Sequence, residues 1–520
     1  MDLEAIFKNQ FGEQIFNNDQ AKPYHLNCEG YEREIIFIYK PSDEKNIKPF
    51  INLCADHELA IHPISAGRNW GYGSSLPTRS QVILIDLSNL DKIVLDEDLG
   101  IVEIQPGVTP QKLYNFLLQN KSKWMTPVTG AGPHGSILGN ALERGFGLNP
   151  IMDHFDSVLT VKAILYDGTI YESRLANIGA TKSDQVSRWK VGPYMEGLFS
   201  QSNFGLIISI KIQLAQRPKT VDCIVIKGYR NQIPEGVKLC RDLHENFGGN
   251  LGGLNFSDRE RIESTISSNS SQQNKRGIIK NIKRILGLQL LDFQIVVPVY
   301  TTSPTYNQIS KAIFKHVKKQ GFKTVLITEK QINFLSKIKP FLNFSFINDL
   351  WEQLDSLISL IKLLKGQPSN FTLKIAYTET PNKNQTNNPA KDQIGLLWFA
   401  PIIRLKEDDF TTVINIFETV LPRFNQKSRW TFTVLNHSLA EATIPIFFNI
   451  EDKNDHQNAL NCWNTLFNEC LKEGFAPYRY SIEHMHLCDY KDPKLKQLQM
   501  NIKKSFDPNC KMSPGRYTSL

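Results

Sequence analysis

Hydrophobic and polar positions follow short, regular patterns along the chain. Ile208, Ile210, Ile212 and Leu214 are separated by Ser209, Lys211 and Gln213, the two-residue period of a strand with one buried face. Glu34 to Tyr39 and Leu59 to Ile64 are apolar runs that predict two further strands. Between them, Ser42-Asp43-Glu44 offers a capping hydroxyl and first-turn acids for a helix. Pro49 must kink that helix or delay its start. Strand, helix and strand together predict a β-α-β unit. Thr109 predicts the cap of a helix reaching Leu118, with Leu113, Phe116 and Leu117 on one face. Ala163 to Tyr171 predicts a hairpin turned by Asp167-Gly168, a pair that supplies positive φ angles.

After about residue 218 the texture changes. Ser257 to Asn281 is rich in Ser, Gln, Arg and Lys, and Thr380 to Asp392 in Asn, Pro and Lys. Both are expected as mobile surface loops. Around them, Phe293 to Val299 predicts a strand and Leu354 to Leu364 a helix. No internal repeat is visible. The middle region reads as a second α+β unit, and a chain of 520 residues is too long for one core.

Composition narrows the class. Hydrophobic residues make up 41% and charged residues 22%, ordinary for a soluble globular protein. The net charge of +8 is spread along the chain, with its densest cluster at Lys275-Arg276, Lys280, Lys283 and Arg284. That cluster lacks the interleaved aromatic residues of a single-strand binder, so it reads as a solvated face and no nucleic-acid partner is expected. Eight scattered cysteines without a Cys-x-x-Cys pair argue against a zinc site and a dense disulfide framework; no metal is expected. Met1 to Lys8 carries acids and no apolar core, unlike a signal peptide. No run is long and apolar enough to span a bilayer. A cytoplasmic protein is the expectation.

The chemistry concentrates in Pro63-Ile64-Ser65-Ala66-Gly67-Arg68-Asn69-Trp70-Gly71-Tyr72-Gly73. Glycines in such a loop let the backbone approach a ligand closely, so that successive N–H groups converge on phosphate oxygens. A second glycine-rich stretch runs from Thr129 to Gly145, and between the two lie Val82 to Leu87 and Val102 to Thr109. In this order the elements resemble the FAD-binding domain of the vanillyl-alcohol oxidase and p-cresol methylhydroxylase flavoproteins. The resemblance is densest over 63–215 and recurs at 395–450 and 475–516. Gly192 to Gly205 is similar to a run of vanillyl-alcohol and eugenol oxidases, and Gly139 to Gly145 with Asp153-His154 is another match. Both point to the 4-phenol-oxidising branch rather than the sugar-oxidising or berberine-bridge branches. Gly168, by contrast, reads as an ordinary turn.

The resemblance implies an α+β fold. An FAD-binding domain would span 1–217, an α+β cap or substrate domain 218–484, and a return to the first domain 485–520, with FAD at the junction. It implies cofactor contacts from Ser65, Ala66, Gly67, Arg68 and Asn69, from Gly135, Ser136, Gly139, Asn140 and Arg144, and from Gly205. Phe506 to Arg516 resembles the family's closing segment, in which a basic residue after Pro-Gly lies by the isoalloxazine; here that residue is Arg516. Tyr72 and the pair Tyr478-Arg479 match the trio that holds a phenolic oxygen. Two phenol donors and a permanent cation lower a substrate phenol's pKa. The phenolate then pushes electrons through the ring as hydride leaves the benzylic carbon for flavin N5. The p-quinone methide so formed is captured by water or an internal nucleophile, or loses a proton.

Two departures qualify the resemblance. The region that would carry a flavin-linking histidine reads Thr433 to Ala442, with His437 offset and alanines at the expected pair, and Arg68 stands where other branches carry a linking histidine. FAD is therefore expected to be non-covalent, with His437 or Tyr377 the residues to examine otherwise. The family's aspartate near N5 is also missing from Thr126 to Ala131. His134 is the nearest titratable substitute and the expected acid/base; Glu483, His484 and His486 are others. A small aromatic substrate, O2 or another electron acceptor such as a cytochrome, and room for a homodimer complete the expectation. Two alternatives stay open: a non-phenolic alcohol or amine as substrate, and a flavin-binding protein without turnover.

Overall fold

Three β-sheets organise the computed structural model, which describes residues 3–266, 290–301, 306–338, 348–380 and 385–518. The first contains β1 (Ile15–Phe16), β2 (Ile35–Tyr39), β3 (Ile61–Ile64) and β4 (Val82–Asp86) in the order β1-β2-β4-β3. The strand-helix-strand unit is present, but β4 inserts between its strands and runs parallel to both. All five β4 residues are buried, as suits the centre of a parallel sheet covered on both faces. The helix begins at Ile47 rather than at Ser42, and Asp43 instead caps a short turn at Glu44–Asn46. Pro49 thus falls in the first helical turn, where an amide hydrogen has no intrahelical acceptor to lose.

The second sheet contains β5 (Ile93–Asp96), β6 (Ile101–Ile104), β7 (Val158–Ile164), β8 (Ile170–Tyr171) and β9 (Leu206–Gln213), ordered β5-β6-β9-β7-β8. Thr109 caps the helix Pro110–Gln119, its hydroxyl accepting from Lys112 N at 3.2 Å. Leu113 and Leu117 of that helix bury against Val102, Ile104 and Ile210. Asp167-Gly168 turns the β7–β8 hairpin, with Gly168 at φ 80°.

The third sheet contains β10 (Thr220–Gly228), β11 (Leu254–Asp258), β12 (Phe293–Thr301), β13 (Lys323–Ile327), β14 (Gly395–Phe399), β15 (Ile402–Arg404), β16 (Thr431–Val434) and β17 (Leu439–Phe448). Its order is β13-β10-β12-β11-β16-β17-β14, with β15 paired to β17. Helices Ile233–Phe247, Glu407–Val420 and Lys453–Lys472 join Phe256, Phe432, Phe410, Phe417 and Trp463 in one large apolar core.

Ser257 and Asp258 end β11 and the helix Arg259–Ile266 follows. The rest of that expected loop, with its basic cluster, lies outside the described residues. Of the expected loop at 380–392, the described part is pinned by Asp392, which accepts from the Tyr377 hydroxyl at 2.6 Å and from Thr386 N at 2.9 Å.

The final segment returns to the first two sheets. Phe506, at the end of helix Pro493–Phe506, stacks on Phe204 at 5.4 Å. Met512 bridges to Ile61 at the edge of β3. A fully buried ion pair, Lys503–Asp507 at 2.7 Å, fixes the connection. The eight cysteines are free, and no helix among the described residues is long and apolar enough to cross a membrane.

Candidate active site

A cavity of about 460 Å³ opens where the three sheets meet. Its floor is the loop that leaves β3 at Ile64. Among the described residues, the amides of Ser65, Ala66, Gly67, Arg68 and Asn69 donate to no protein acceptor, and all five residues line the cavity. Gly71 has φ 78°, and a Cβ there would lie 2.2 Å from the ring of Trp398. Only glycine permits that approach of loop and third sheet.

The second glycine-rich stretch forms the opposite rim. Ser136 caps the short helix Ile137–Leu142, accepting from Gly139 N at 3.0 Å and donating to Pro106 O at 2.7 Å. A Cβ on Gly139 would meet Ser65 Oγ at 2.6 Å, so the two loops touch. Gly135, Ser136, Gly139, Asn140 and Gly205 line the cavity, as does Arg516. Arg144 does not. Its backbone turns to φ 53° and its guanidinium donates to Ser200 Oγ at 2.9 and 3.1 Å. A chain of unspent amides beside closely packed glycines suits the pyrophosphate of a dinucleotide.

Tyr72, Tyr478 and Arg479 meet at the end of this cavity. The Arg479 guanidinium sits 4.4 Å from the Tyr72 ring centroid and donates to Asn69 Oδ1. Ile482 N donates to Tyr72 O at 3.1 Å, and Tyr478 N to Ala400 O at 3.1 Å, so loop and C-terminal segment are tied through backbone. Burial pushes both phenols up from their ordinary pKa, with Tyr478 raising Tyr72 further and Arg479 opposing the rise in each.

Glu143 joins this trio to Arg516. Its Oε1 accepts from Arg516 Nη2, and its Oε2 lies 3.2 Å from Arg479 Nε, close enough for charge attraction though not aligned as a hydrogen bond. The Tyr517 hydroxyl reaches the same oxygen at 3.4 Å. Arg516 in turn faces His62, whose Nδ1 contacts Ser513 Oγ at 3.1 Å. Burial, then the Arg516 charge, pushes His62 down to about 3, so it stays neutral.

The expected acid/base positions fall elsewhere. His134 is exposed and does not line the cavity; burial and then Arg68 lower its pKa. Glu483 pairs with Arg33. His484 stacks on Trp463 at 3.8 Å, contacts Ser481 Oγ through Nδ1 at 2.7 Å, and is pushed down to about 4 by burial. His486 and His437 are exposed. None of these lines the cavity.

The cavity's carboxyl groups, among the described lining residues, are Glu143 and Glu441. Glu441 sits on β17 at 5% exposure, accepts from Thr443 Oγ1 at 2.7 Å, and is pushed up to about 8 by burial. Its charge reaches both Tyr72 and Tyr478. The signal was present in the alternation of β17: Ala440, Ala442 and Ile444 pack into the core, while Glu441 and Thr443 face the other way into the cavity.

Comparison with known proteins agrees with these features. A model of the FAD binding domain family matches residues 36–174. The chain is 23% identical over 500 residues to 1'-carboxy-chondrochloren decarboxylase of Chondromyces crocatus, covering 92% of this chain and 90% of the relative. It is 22% identical over 518 residues to the 4-cresol dehydrogenase [hydroxylating] flavoprotein subunit of Pseudomonas putida, covering 96% and 92%. Its fold matches p-cresol methylhydroxylase with substrate bound at a TM-score of 0.83 and 20% identity, over 99% of this chain and 96% of that one. It matches 4-ethylphenol oxidase from Gulosibacter chungangensis at 0.83 and 17%, with the same coverage. The architecture is thus an FAD-binding domain with an α+β cap.

Proposed function

We propose that this chain, an FAD-dependent oxidoreductase of the vanillyl-alcohol oxidase and p-cresol methylhydroxylase family, oxidises a para-substituted phenol at its benzylic carbon. The observation that carries the reading is the convergence of Tyr72, Tyr478 and Arg479 in the same cavity as the two glycine-rich loops. We assign residues 1–217 and 485–520 to the FAD-binding domain and 218–484 to the cap; β9 ends at Gln213 and β10 begins at Thr220, close to the first boundary.

In this reading the unspent amides of Ser65 to Asn69, with Gly135 and Ser136, hold the pyrophosphate without a covalent link to the protein. Bound FAD supplies a two-electron acceptor that takes the hydride at N5. Tyr72 and Tyr478 donate to the substrate oxygen while Arg479 supplies positive charge, so the phenol binds as phenolate. Arg516 and Glu143 set the charge at the flavin end. Trp398, Leu373 and Ile375 line the cavity with apolar surface, which excludes water from the ring. Once the benzylic hydride has left, the quinone methide is electrophilic at that carbon. Glu441, whose pKa burial raises to about 8, accepts the proton from an adding nucleophile or from the side chain itself once it ionises as pH approaches that value. The electron acceptor that completes turnover is O2 or a protein carrier.

Tyr478→Phe and Arg479→Ala test the assignment. Each is expected to raise the apparent pKa of a bound phenol and to slow anaerobic flavin reduction about a hundredfold, the usual loss on removing one donor to an oxyanion. Wild-type reduction rates in both variants would move the substrate elsewhere and favour an alcohol or amine.

A further inference from the structure

Glu29 is fully buried, lies outside the cavity lining, and takes no part in the steps above. Hydrogen bonds hold its carboxyl among the described residues, not an ion pair. Burying a carboxyl costs free energy unless its oxygens find donors, and two of its three donors belong to the residues that follow Tyr72. Oε1 accepts from Gly73 N at 2.8 Å, while Oε2 accepts from Ser74 Oγ and from Cys28 N, both at 3.0 Å. The turn that carries Glu29 aims it inward. Asn27 Oδ1 accepts from Glu29 N and Tyr31 N at 3.0 Å, and its amide donates to His25 O and Tyr31 O at 2.9 Å. Cys28 O accepts from Leu396 N at 2.8 Å, which anchors the turn to β14.

Tyr72 O and Gly73 N belong to one planar peptide unit. Its carbonyl accepts from Ile482 N at 3.1 Å, and its N–H donates to Glu29 Oε1 at 2.8 Å. Both ends of the plane are therefore held, one by the segment that supplies Tyr478 and Arg479 and the other by Glu29. On the other side of the residue, Tyr72 N donates to Asn69 O at 3.1 Å, and Asn69 Oδ1 accepts from Arg479. These bonds fix the backbone on either side of Tyr72, and so the direction in which its ring leaves the chain, 4.4 Å from the Arg479 guanidinium. Without Glu29 the buried Gly73 N–H would lose its acceptor, and the plane could turn to find another. Oε1 accepts whether Oε2 is ionised or protonated. The hold is thus independent of the charge of a group whose pKa burial raises to about 7.

We propose that Glu29 is a positioning residue of the substrate clamp: through the Tyr72–Gly73 peptide it sets where the Tyr72 hydroxyl meets the ligand's oxygen. What the clamp holds rests on the phenol reading; the hold on the peptide does not. Glu29→Leu removes the acceptor at similar size. Glu29→Gln keeps an oxygen for Gly73 N and turns its amide toward Ser74 Oγ, which can accept. The cofactor amides of Ser65 to Asn69 precede the held peptide, so the effect belongs to the substrate end.

The test uses the FAD-loaded protein and 4-nitrophenol, which has no benzylic hydrogen and whose colour reports its ionisation. Glu29→Leu is expected to raise the apparent pKa of bound 4-nitrophenol by about one pH unit, the scale of one hydrogen bond. Glu29→Gln is expected to restore most of the wild-type value, and both variants to keep wild-type FAD affinity. Coupling separates positioning from general loosening: with Tyr72→Phe in place, Glu29→Leu should add no further shift. A full added shift, or a wild-type pKa in Glu29→Leu alone, would overturn the proposal. Hydrogen exchange of the Gly73 amide, followed without 4-nitrophenol, reads the hold by itself. It should be slow in the wild type and in Glu29→Gln, and at least about tenfold faster in Glu29→Leu. Fast exchange in the wild type would overturn the proposal even if Glu29→Leu failed to fold. A bound pKa that Tyr72→Phe does not move would overturn the phenol reading instead, and Glu29's hold on the loop would then stand or fall on the exchange rates alone.

Discussion

Glu441→Gln gives the sharpest test of how burial sets the chemistry of the cavity. Burial raises the Glu441 pKa from 4.5 to about 8, so the folded state holds its proton where the unfolded chain has lost it. Stability attributable to this group is therefore complete below about pH 4.5 and falls as pH rises toward 8. Between pH 5.5 and 7 the difference approaches one proton, worth about 1.4 kcal/mol per pH unit. Over that interval wild type should lose about 2 kcal/mol relative to Glu441→Gln, which keeps the shape and cannot ionise. Urea unfolding of both proteins at several pH values measures the difference directly, because other titrating groups cancel between them. Turnover adds a second readout: the variant should lose the rise in product formation expected of wild type as pH approaches 8. A stability difference that stays constant from pH 5.5 to 7 would refute the reasoning and leave Glu441 ionised in the fold.

Acid precipitation of the loaded protein should leave the flavin in the supernatant; yellow colour retained in the pellet would reveal a covalent bond and direct attention to Tyr377 or His437. Lys503→Met should cost roughly 3–5 kcal/mol in urea unfolding, because it leaves Asp507 charged and unpaired at 0% exposure; a loss below about 1 kcal/mol would show that the pair relaxes into solvent. Glu143→Gln should raise the flavin midpoint potential and lower the pKa of a bound phenol together, since both guanidiniums lose a shared counter-charge; shifts in the opposite sense would mark Glu143 as a scaffold for the two arginines.

Local features of the sequence were easiest to read. The alternation of β9, the Thr109 cap and the Asp167-Gly168 turn depend on neighbours in the chain, and all appear in the structure. Non-local placement was harder. The apolar run at 82–86 carries no mark that it would insert between β2 and β3, because a strand buried on both faces has the same pattern at any interior position. Only resemblance to known flavoproteins marks Tyr72, Tyr478 and Arg479 together, since no spacing rule links positions so far apart. His134 is close in sequence to a glycine turn, yet the turn leaves it outward. Glu441 is hard to read from the chain because its neighbours across the sheet, Thr433 and Asn255, come from other strands. Glu143 looked like one residue of a motif until the fold brought Arg516, 373 residues away, against it.

The return of Met512 and Ser513 to β3 sets a timetable for the protein's birth. Ser513 N donates to Ile61 O at 2.7 Å, and its hydroxyl meets His62 across 451 residues of chain. At ribosomal rates of roughly 5–20 residues per second, the first glycine-rich loop must wait roughly 20 to 90 seconds for this partner. Until then the strand that leads into the glycine-rich loop lacks its edge contact, and Arg516 has not yet been made. A nascent chain can assemble its sheets but not a finished flavin site. In the proposed reading, cofactor capture therefore follows the synthesis of Ser513 and Arg516.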